Sequence, residues 1–391
     1  ADTPADEAKA TAKEWLGVAY RWLNNPDEAM TNYKEALEIA RRLGRRRLEA
    51  EIIHETGKIQ QILGQPDQAL KSYQEALKIR QELKDRQGIG DTLIDFGNLY
   101  GSRGQYDQAL TAFRDSIAIQ REQGNDDYVG LLSSNIGAVQ FLKGENQDAL
   151  TWYQQALVVR EKYNNPGAIA DTVYNIGEAY VRLGEYRKAE DQYLRALKLR
   201  RDGSDLRGES QVASSLGTLF GYEGRLDAAL SATRESYDAI VASKERNDWT
   251  IIAFAAYGNA LNSVGRVDEG RKRLDEAAKL ARDLQIDPLL AMVFNYQGDQ
   301  LSYAGNFEGA RKLYEEALQV ATRANDPYFA AWSKVNRTMA GLKGAGTRPT
   351  PAEVAKVVLE GDKYGVRYQT VVCLIALGES LGIESIWCGG N

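Results

Sequence analysis

The sequence predicts an all-α chain built as a linear array of stacked helix pairs. Three observations predict it. Glycines fall at 17, 57, 97, 137, 177, 217, 258 and 298, at intervals of 40 residues with a single 41. A second position, seven residues later, is again glycine in seven of eight cases (Gly64, Gly104, Gly144, Gly184, Gly224, Gly265 and Gly305, with Asn24 in the first copy). The 391 residues hold 36 Gly against only 8 Pro, with 21 Tyr, which is what a repeated turn and a repeated packing residue leave behind. A period of this length marks one supersecondary unit repeated along the chain.

Each unit reads as two helices. In the third, residues 88–103 form the first helix and 106–122 the second, with Gly104 between them. Glycine there takes the left-handed conformation that ends the first helix. Asp27, Asp67, Asp107, Asp227 and Asp268 then fall in the first turn of the second helix, where its dipole favours a carboxylate. Small residues such as Gly97 and Ala109 allow the paired helices to approach. Four residues beyond that Ala come Tyr33, Tyr73, Phe113, Tyr153, Tyr193 and Tyr314, expected to fill the space between neighbouring repeats. A lone hairpin cannot bury its apolar face, so stacking supplies the core.

These residues carry a family resemblance. The pattern L-G-x-x-Y…A-x-x-x-Y, as in Leu16, Gly17, Tyr20, Ala29 and Tyr33, resembles the tetratricopeptide repeat, with in-register copies over residues 11–320. The longer period resembles the subtype of kinesin light chains and bacterial signalling proteins. The proline that often closes the second helix is absent, consistent with a longer helix. The resemblance implies a right-handed superhelical solenoid whose first helices line a concave groove. The expected organisation is eight repeats over 1–320, a degenerate ninth repeat and capping helix over 321–385, and a tail at 386–391. Residues 325–343 and 352–363 read as helices, and YQTVVCLIALGESLG (368–382) follows, with Gly378 still in phase.

Composition excludes most chemistry. One His and two Cys leave no classical zinc site and few nucleophile–base arrangements. Neither a phosphate loop nor a dinucleotide fingerprint nor a nucleophile elbow occurs, so no enzyme, cofactor or metal is expected. The net charge of −6 gives no global reason to seek nucleic acid, and no apolar run is long enough to span a membrane. A cytoplasmic protein is expected, or an exported one if the start without Met reflects signal-peptide cleavage. Oligomeric state is left open.

Family geometry points four positions of each first helix into the groove: six, three and two residues before the key glycine and one after it. Spacings of three and four residues support a shared face. Of these 32 positions eight are acidic and one, Lys58, is basic, an excess larger than that of the whole chain. The candidate partner-binding residues are Glu51, His54, Glu55, Asp91, Asp95, Asn98, Asn135, Asp171, Tyr174, Asn175 and Glu178. Carboxylates attract Lys and Arg, and Asn pairs with a peptide backbone through one donor and one acceptor. Asn135 and Asn175 stand where the resemblance implies asparagines that hold an extended peptide. From repeat six onward the face turns small and apolar.

The expected function is a scaffold binding an extended, basic-to-apolar peptide of a partner protein across repeats two to six. Reversing Asp91, Asp95 and Asp171 to Lys is expected to weaken it. The alternative is a regulatory or sensor module for an attached or partner effector, such as a kinase, a transcription regulator or a caspase-like protease. The cluster RRLGRRR (41–47) reads as a solvated helix end rather than a nucleic-acid patch, since Arg41 and Arg42 close a helix. His54 beside Glu51 and Glu55 reads as a partner contact or ordinary polar residue rather than a metal ligand. Cys373 reads as a buried core thiol, and Cys388 has no assigned role.

Overall fold

The computed structural model of the chain describes residues 4–344, 348–363, 366 and 373. Eighteen helices and no strand occur among the described residues. They come in pairs: α1 (Pro4–Trp22) with α2 (Pro26–Arg42), α3 (Arg46–Ile62) with α4 (Pro66–Glu82), and α5 (Arg86–Ser102) with α6 (Tyr106–Glu122). Next are α7 (Asp126–Lys143) with α8 (Asn146–Lys162), α9 (Pro166–Leu183) with α10 (Tyr186–Asp202), and α11 (Leu206–Tyr222) with α12 (Leu226–Ser243). Then follow α13 (Asp248–Ser263) with α14 (Val267–Asp283), and α15 (Asp287–Tyr303) with α16 (Phe307–Arg323). Last come α17 (Pro327–Lys343) and α18 (Pro351–Lys363). The chain divides into two units, Ala1–Gln192 and Tyr193–Asn391, with the division inside α10.

Within each unit a helix packs on its successor in sequence, and first helices of neighbouring pairs also touch, as α1 with α3, α3 with α5 and α7 with α9. The first helices therefore share one face of the stack. The turn inside each pair places its predicted residue in the left-handed region, from Asn24 (φ 56°) to Gly305 (φ 77°). A second left-handed position, not expected from the sequence, recurs in the turn between pairs: Gly44, Lys84, Gly124, Asn164, Ser204, Lys244, Gln285 and Asn325. Its residue type varies, so the period is visible only in the backbone. The single 41-residue interval is absorbed there too. After Lys244 the turn lengthens, and Asn247 restarts the helix through a capping box with Thr250 (3.2 and 3.3 Å).

Proline opens helices here: Pro26, Pro66, Pro166, Pro288 and Pro327 all occupy a first or second helical position. In the pairs that carry the aromatic, it explains the key glycine; at Gly217 and Gly258 the close neighbours are Thr233 and Leu274 instead. A Cβ on Gly57 would lie 2.5 Å from Tyr73 Cε1, and one on Gly137 would lie 2.7 Å from the Tyr153 ring and 3.2 Å from the Ala149 carbonyl. The expected role of the aromatic is thus extended. Tyr33 rests on Gly17 of its own pair and shares a core with Ile52 and Ile59 of the next.

The helices expected over 325–343 and 352–363 are α17 and α18. Cys373 is fully buried beside Val335, Leu342 and Val354, and burial pushes its thiol up to about 11. The rest of 368–382, Gly378, Cys388 and the tail at 386–391 lie outside the described residues.

Candidate functional site on the first-helix face

The candidate residues all lie in the first unit, on α3, α5, α7 and α9. The structure gathers five of them, Glu51, His54, Glu55, Asp91 and Asp95, into one cluster and leaves the other six spread along the same face. At its centre His54 is only 4% exposed. Its Nε2 lies 2.7 Å from Asp95 Oδ2, and its Nδ1 lies 3.2 Å from Arg80 Nη1. A guanidinium only donates, so Nδ1 accepts from Arg80 and Nε2–H donates to Asp95; the network fixes this tautomer. Burial keeps the imidazole neutral by lowering its pKa, an effect the nearby Arg80 and Lys58 reinforce and Asp95 opposes. For Asp95, burial pushes upward, but the His54 hydrogen bond and the positive charge of Lys58 outweigh it and hold the carboxyl low.

Arg80 is the floor of this cluster. It extends from α4 beneath the turn and donates to the Gly88 carbonyl at 2.9 Å and to Thr92 Oγ1 at 2.6 Å. Gly88 leaves the space: a Cβ there would meet Arg80 Nε at 2.6 Å. Two repeats on, Arg160 donates to Ala168 O at 2.9 Å and to Thr172. The recurrence of Arg80 with Thr92 and Arg160 with Thr172 was legible in the sequence as an 80-residue spacing, two repeats, with Gln120 and Leu132 at the positions between. It was missed because these arginines belong to second helices, outside the four groove positions.

Glu55 is likewise engaged. Lys58 donates to it at 2.7 Å, Arg21 of α1 pairs with it at 3.3 Å, and Tyr33 OH donates at 3.4 Å. Lys58 also lies 3.7 Å from Asp95. Asp91 is half-buried, which raises its carboxyl, while Gln87 donates to it at 3.1 Å and opposes the shift. Glu51 is exposed at the edge. Glu14 is buried on α1 and pushed up to about 7, by burial first and then by Glu51 and Glu55.

The acidic excess read from the sequence is therefore partly offset. Arg21 and Arg80, from positions outside the four, stand beside Lys58 as counterions, and Glu14 is half-protonated near neutrality. A second correction concerns the position three before the key glycine. There Glu14, His54, Ser134, Ser214, Ala255 and Asn295 are buried and pack inside the stack, while Ile94 and Tyr174 are half-buried, so in six of the eight repeats this position does not face a partner. His54 is accordingly a link between repeats.

The accessible remainder is Glu51, Asn98 and Asp171, exposed, with Asn135, Tyr174, Asn175 and Glu178 half-buried. Among the described residues no group of three His, Cys, Asp or Glu is placed to hold a metal. Among the described residues no helix is long and apolar enough to cross a membrane.

The arginine cluster at 41–47 is consumed internally. Arg41 pairs with Glu49 and Glu75, Arg42 with Asp6, Arg45 with Glu7, Arg46 with Glu49 and Glu82, and Arg47 with Asp85. Some lie within one helix pair, as Arg42 with Asp6 and Arg46 with Glu82, and others join consecutive pairs, as Arg41 with Glu49 and Glu75; together they leave no unmatched patch of positive charge.

Known proteins agree with this architecture. A family described as tetratricopeptide repeat matches residues 9–82, 57–122, 128–202 and 169–240, together more than half of the chain. A second family of the same description matches 301–327, and residues 222–297 match the family described as anaphase-promoting complex subunit 5. No curated protein matches the chain. Among solved structures, aspartyl phosphate phosphatase F from Bacillus subtilis is similar at 16% identity and a TM-score of 0.60, covering 74% of this chain and 75% of its own. The apo form of RapI is similar at 15% identity and a TM-score of 0.59, covering 71% and 99%. A signal transduction ATPase with numerous domains and a tetratricopeptide repeat sensor, from Pyrococcus horikoshii, is similar at 13% identity and a TM-score of 0.57, covering 90% and 54%. At these identities the likeness is one of fold.

Proposed function

The chain belongs to the tetratricopeptide repeat family, a protein–protein interaction scaffold, and from that premise we propose that its first unit binds an extended, basic peptide segment of a partner along α3, α5, α7 and α9. The observation that carries this reading is the accessible series Glu51, Asn98, Asn135, Asp171, Asn175 and Glu178, which includes no cation. Exposed Glu51 offers a carboxylate for Lys or Arg, Asp171 and Glu178 add negative charge to the face beside the contacts they already make, and the asparagines offer paired donors and acceptors for peptide backbone. Asp95 is set aside as a partner contact, because it already holds His54.

The test is titration of a labelled Lys/Arg-bearing peptide against the full chain and against a Glu51→Lys, Asp171→Lys variant. The variant is expected to bind more weakly, and raising the salt is expected to lower the wild-type affinity and narrow the gap between the two. Equal affinity for wild type and variant overturns the assignment.

A sensor role is the second reading, favoured by the 90% coverage of this chain on a protein whose repeats are described as a sensor. Hydrogen exchange separates the two. A scaffold confines new protection to the first-helix face on peptide binding, whereas a sensor changes exchange in the second unit as well.

A further inference from the structure

The second-helix side of the first unit carries a cleft of about 510 Å³ between α4 and α6, over α5. Leu77, Leu93, Phe96 and Tyr100 give it an apolar floor, with Phe96 and Tyr100 stacked at 5.9 Å. Ala112 of α6 forms one wall, and the exposed residues Gln108, Thr111 and Asp115 stand at the rim. This volume falls in the range that takes a small ligand or a large side chain.

The repeat shows why this cleft is open and its neighbours are not. The position of Ala112 is Ser72 one repeat earlier and Trp152 one repeat later. Ser72 Oγ donates to Gln60 Oε1 at 2.8 Å, where Gln60 is the counterpart of Tyr100. Trp152 packs on the core that includes Ile117 and Ile136, the counterparts of Leu77 and Phe96. One cleft is bridged by a hydrogen bond and one is filled by an indole. At Ala112 the same architecture has neither.

We infer that the Ala112 cleft is a docking site for a partner protein segment that inserts an aromatic side chain where Trp152 sits one repeat later, with a Lys or Arg beside it. The aromatic supplies the apolar area that the floor lacks. The charge preference comes from the rim. Asp115 makes no hydrogen bond or ion pair among the described residues, no cation lines the cleft, and the other carboxylate, Asp107, is held by Lys143 at 2.9 Å. A basic neighbour of the aromatic finds its counter-charge in Asp115. The site lies on the side opposite the first-helix face and is independent of the peptide groove proposed there.

The test uses the full chain and a labelled peptide, Ser-Gly-Lys-Trp-Lys-Gly-Ser, titrated to millimolar concentration at about 0.15 M salt, where distant charges are screened. Binding is expected, with a loss of roughly tenfold or more when Trp is replaced by Ala in the peptide. The Ala112→Trp variant, which fills the cleft from within, is expected to lose the same tenfold while keeping the wild-type helical signal. Asp115→Lys, a surface change that leaves packing alone, is expected to weaken the peptide and to restore a version carrying Glu for Lys. Glu51→Lys with Asp171→Lys is expected to leave the ratio of affinities for the Trp and Ala peptides unchanged, because both peptides carry the lysines that the groove would read, so failure of the groove reading does not touch this one. Equal binding of the Trp and Ala peptides overturns the proposal, as does indifference to both Ala112→Trp and Asp115→Lys. Self-association of the wild-type chain that Ala112→Trp abolishes overturns it in favour of a second copy as occupant.

Discussion

His54 on α3 and Asp95 on α5 meet at 2.7 Å and join two neighbouring repeats through their first helices. The contact lies at the base of the surface proposed for partner binding, yet its own role is structural. Removing one partner leaves a buried polar group unsatisfied, which costs about 1–3 kcal/mol. Asp95→Ala is therefore expected to lower the stability of the first unit by that amount, read by chemical denaturation. Stability equal to wild type would show that His54 finds another acceptor.

The same pair sets a pH dependence. The folded pKa of His54 lies below its ordinary 6.5, so the unfolded chain takes up a proton first and stability is lost as pH falls below that value. Asp95 is held below its ordinary 3.8 and adds a further loss only in stronger acid. The stability advantage of wild type over His54→Gln is expected to shrink between about pH 7 and about pH 5. A constant difference across that window would place the titration elsewhere.

Asp299 on α15 has the opposite sign. It accepts from Tyr314 OH at 2.7 Å and Asn336 Nδ2 at 3.1 Å, and burial pushes it up to about 7 from 3.8. Its contribution is favourable below its unfolded value and is lost as pH rises toward the folded one. Asp299→Asn keeps an oxygen acceptor without the charge. It is expected to be near neutral at about pH 4 and to stabilise the second unit by on the order of 1–2 kcal/mol at about pH 8. Thermal melts at both pH values measure this.

The glycine–aromatic pair is tested by Gly57→Ala. The added methyl would sit 2.5 Å from Tyr73 Cε1, so the ring must shift in a packed core, at a cost of about 1–3 kcal/mol. Tyr73→Leu, the residue type of Leu274 over Gly258, is expected to absorb part of that penalty, so a double-mutant cycle should show coupling. Strict additivity would mean that the two residues do not meet.

The turns between pairs give a gain-of-stability prediction. Lys84 (φ 55°) and Gln285 (φ 58°) hold a left-handed backbone that costs a side-chain-bearing residue roughly 1–2 kcal/mol. Replacement of either by Gly is expected to stabilise by about 0.5–1 kcal/mol, after the extra entropy glycine gives the unfolded chain is deducted. Loss of stability on both replacements would show that the side chains contribute more than the strain.

The turn after Leu63 had to be glycine-like, and the residue facing Tyr73 had to be small, because those demands are local and recur in every copy. The turn at Lys84 makes the same backbone demand, but glycine, asparagine, serine, lysine and glutamine all meet it, so no letter recurs. Among the candidate residues, spacing placed Glu51, Asn98 and Asp171 on an accessible face. It could not separate them from His54, which shares that face and is buried.

By itself, then, the sequence determined the helix pairs, their register and the family, since a 40-residue period is a property of the backbone that each unit repeats. Tertiary structure decided which side chains remain open to a partner. Asp95 is taken up by a histidine 41 residues away and Glu55 by an arginine from the preceding repeat. Ala112 leaves a cleft that Trp152 fills one repeat later. Such outcomes depend on the residue that each neighbouring repeat presents across the interface, and no pattern within one repeat contains that information.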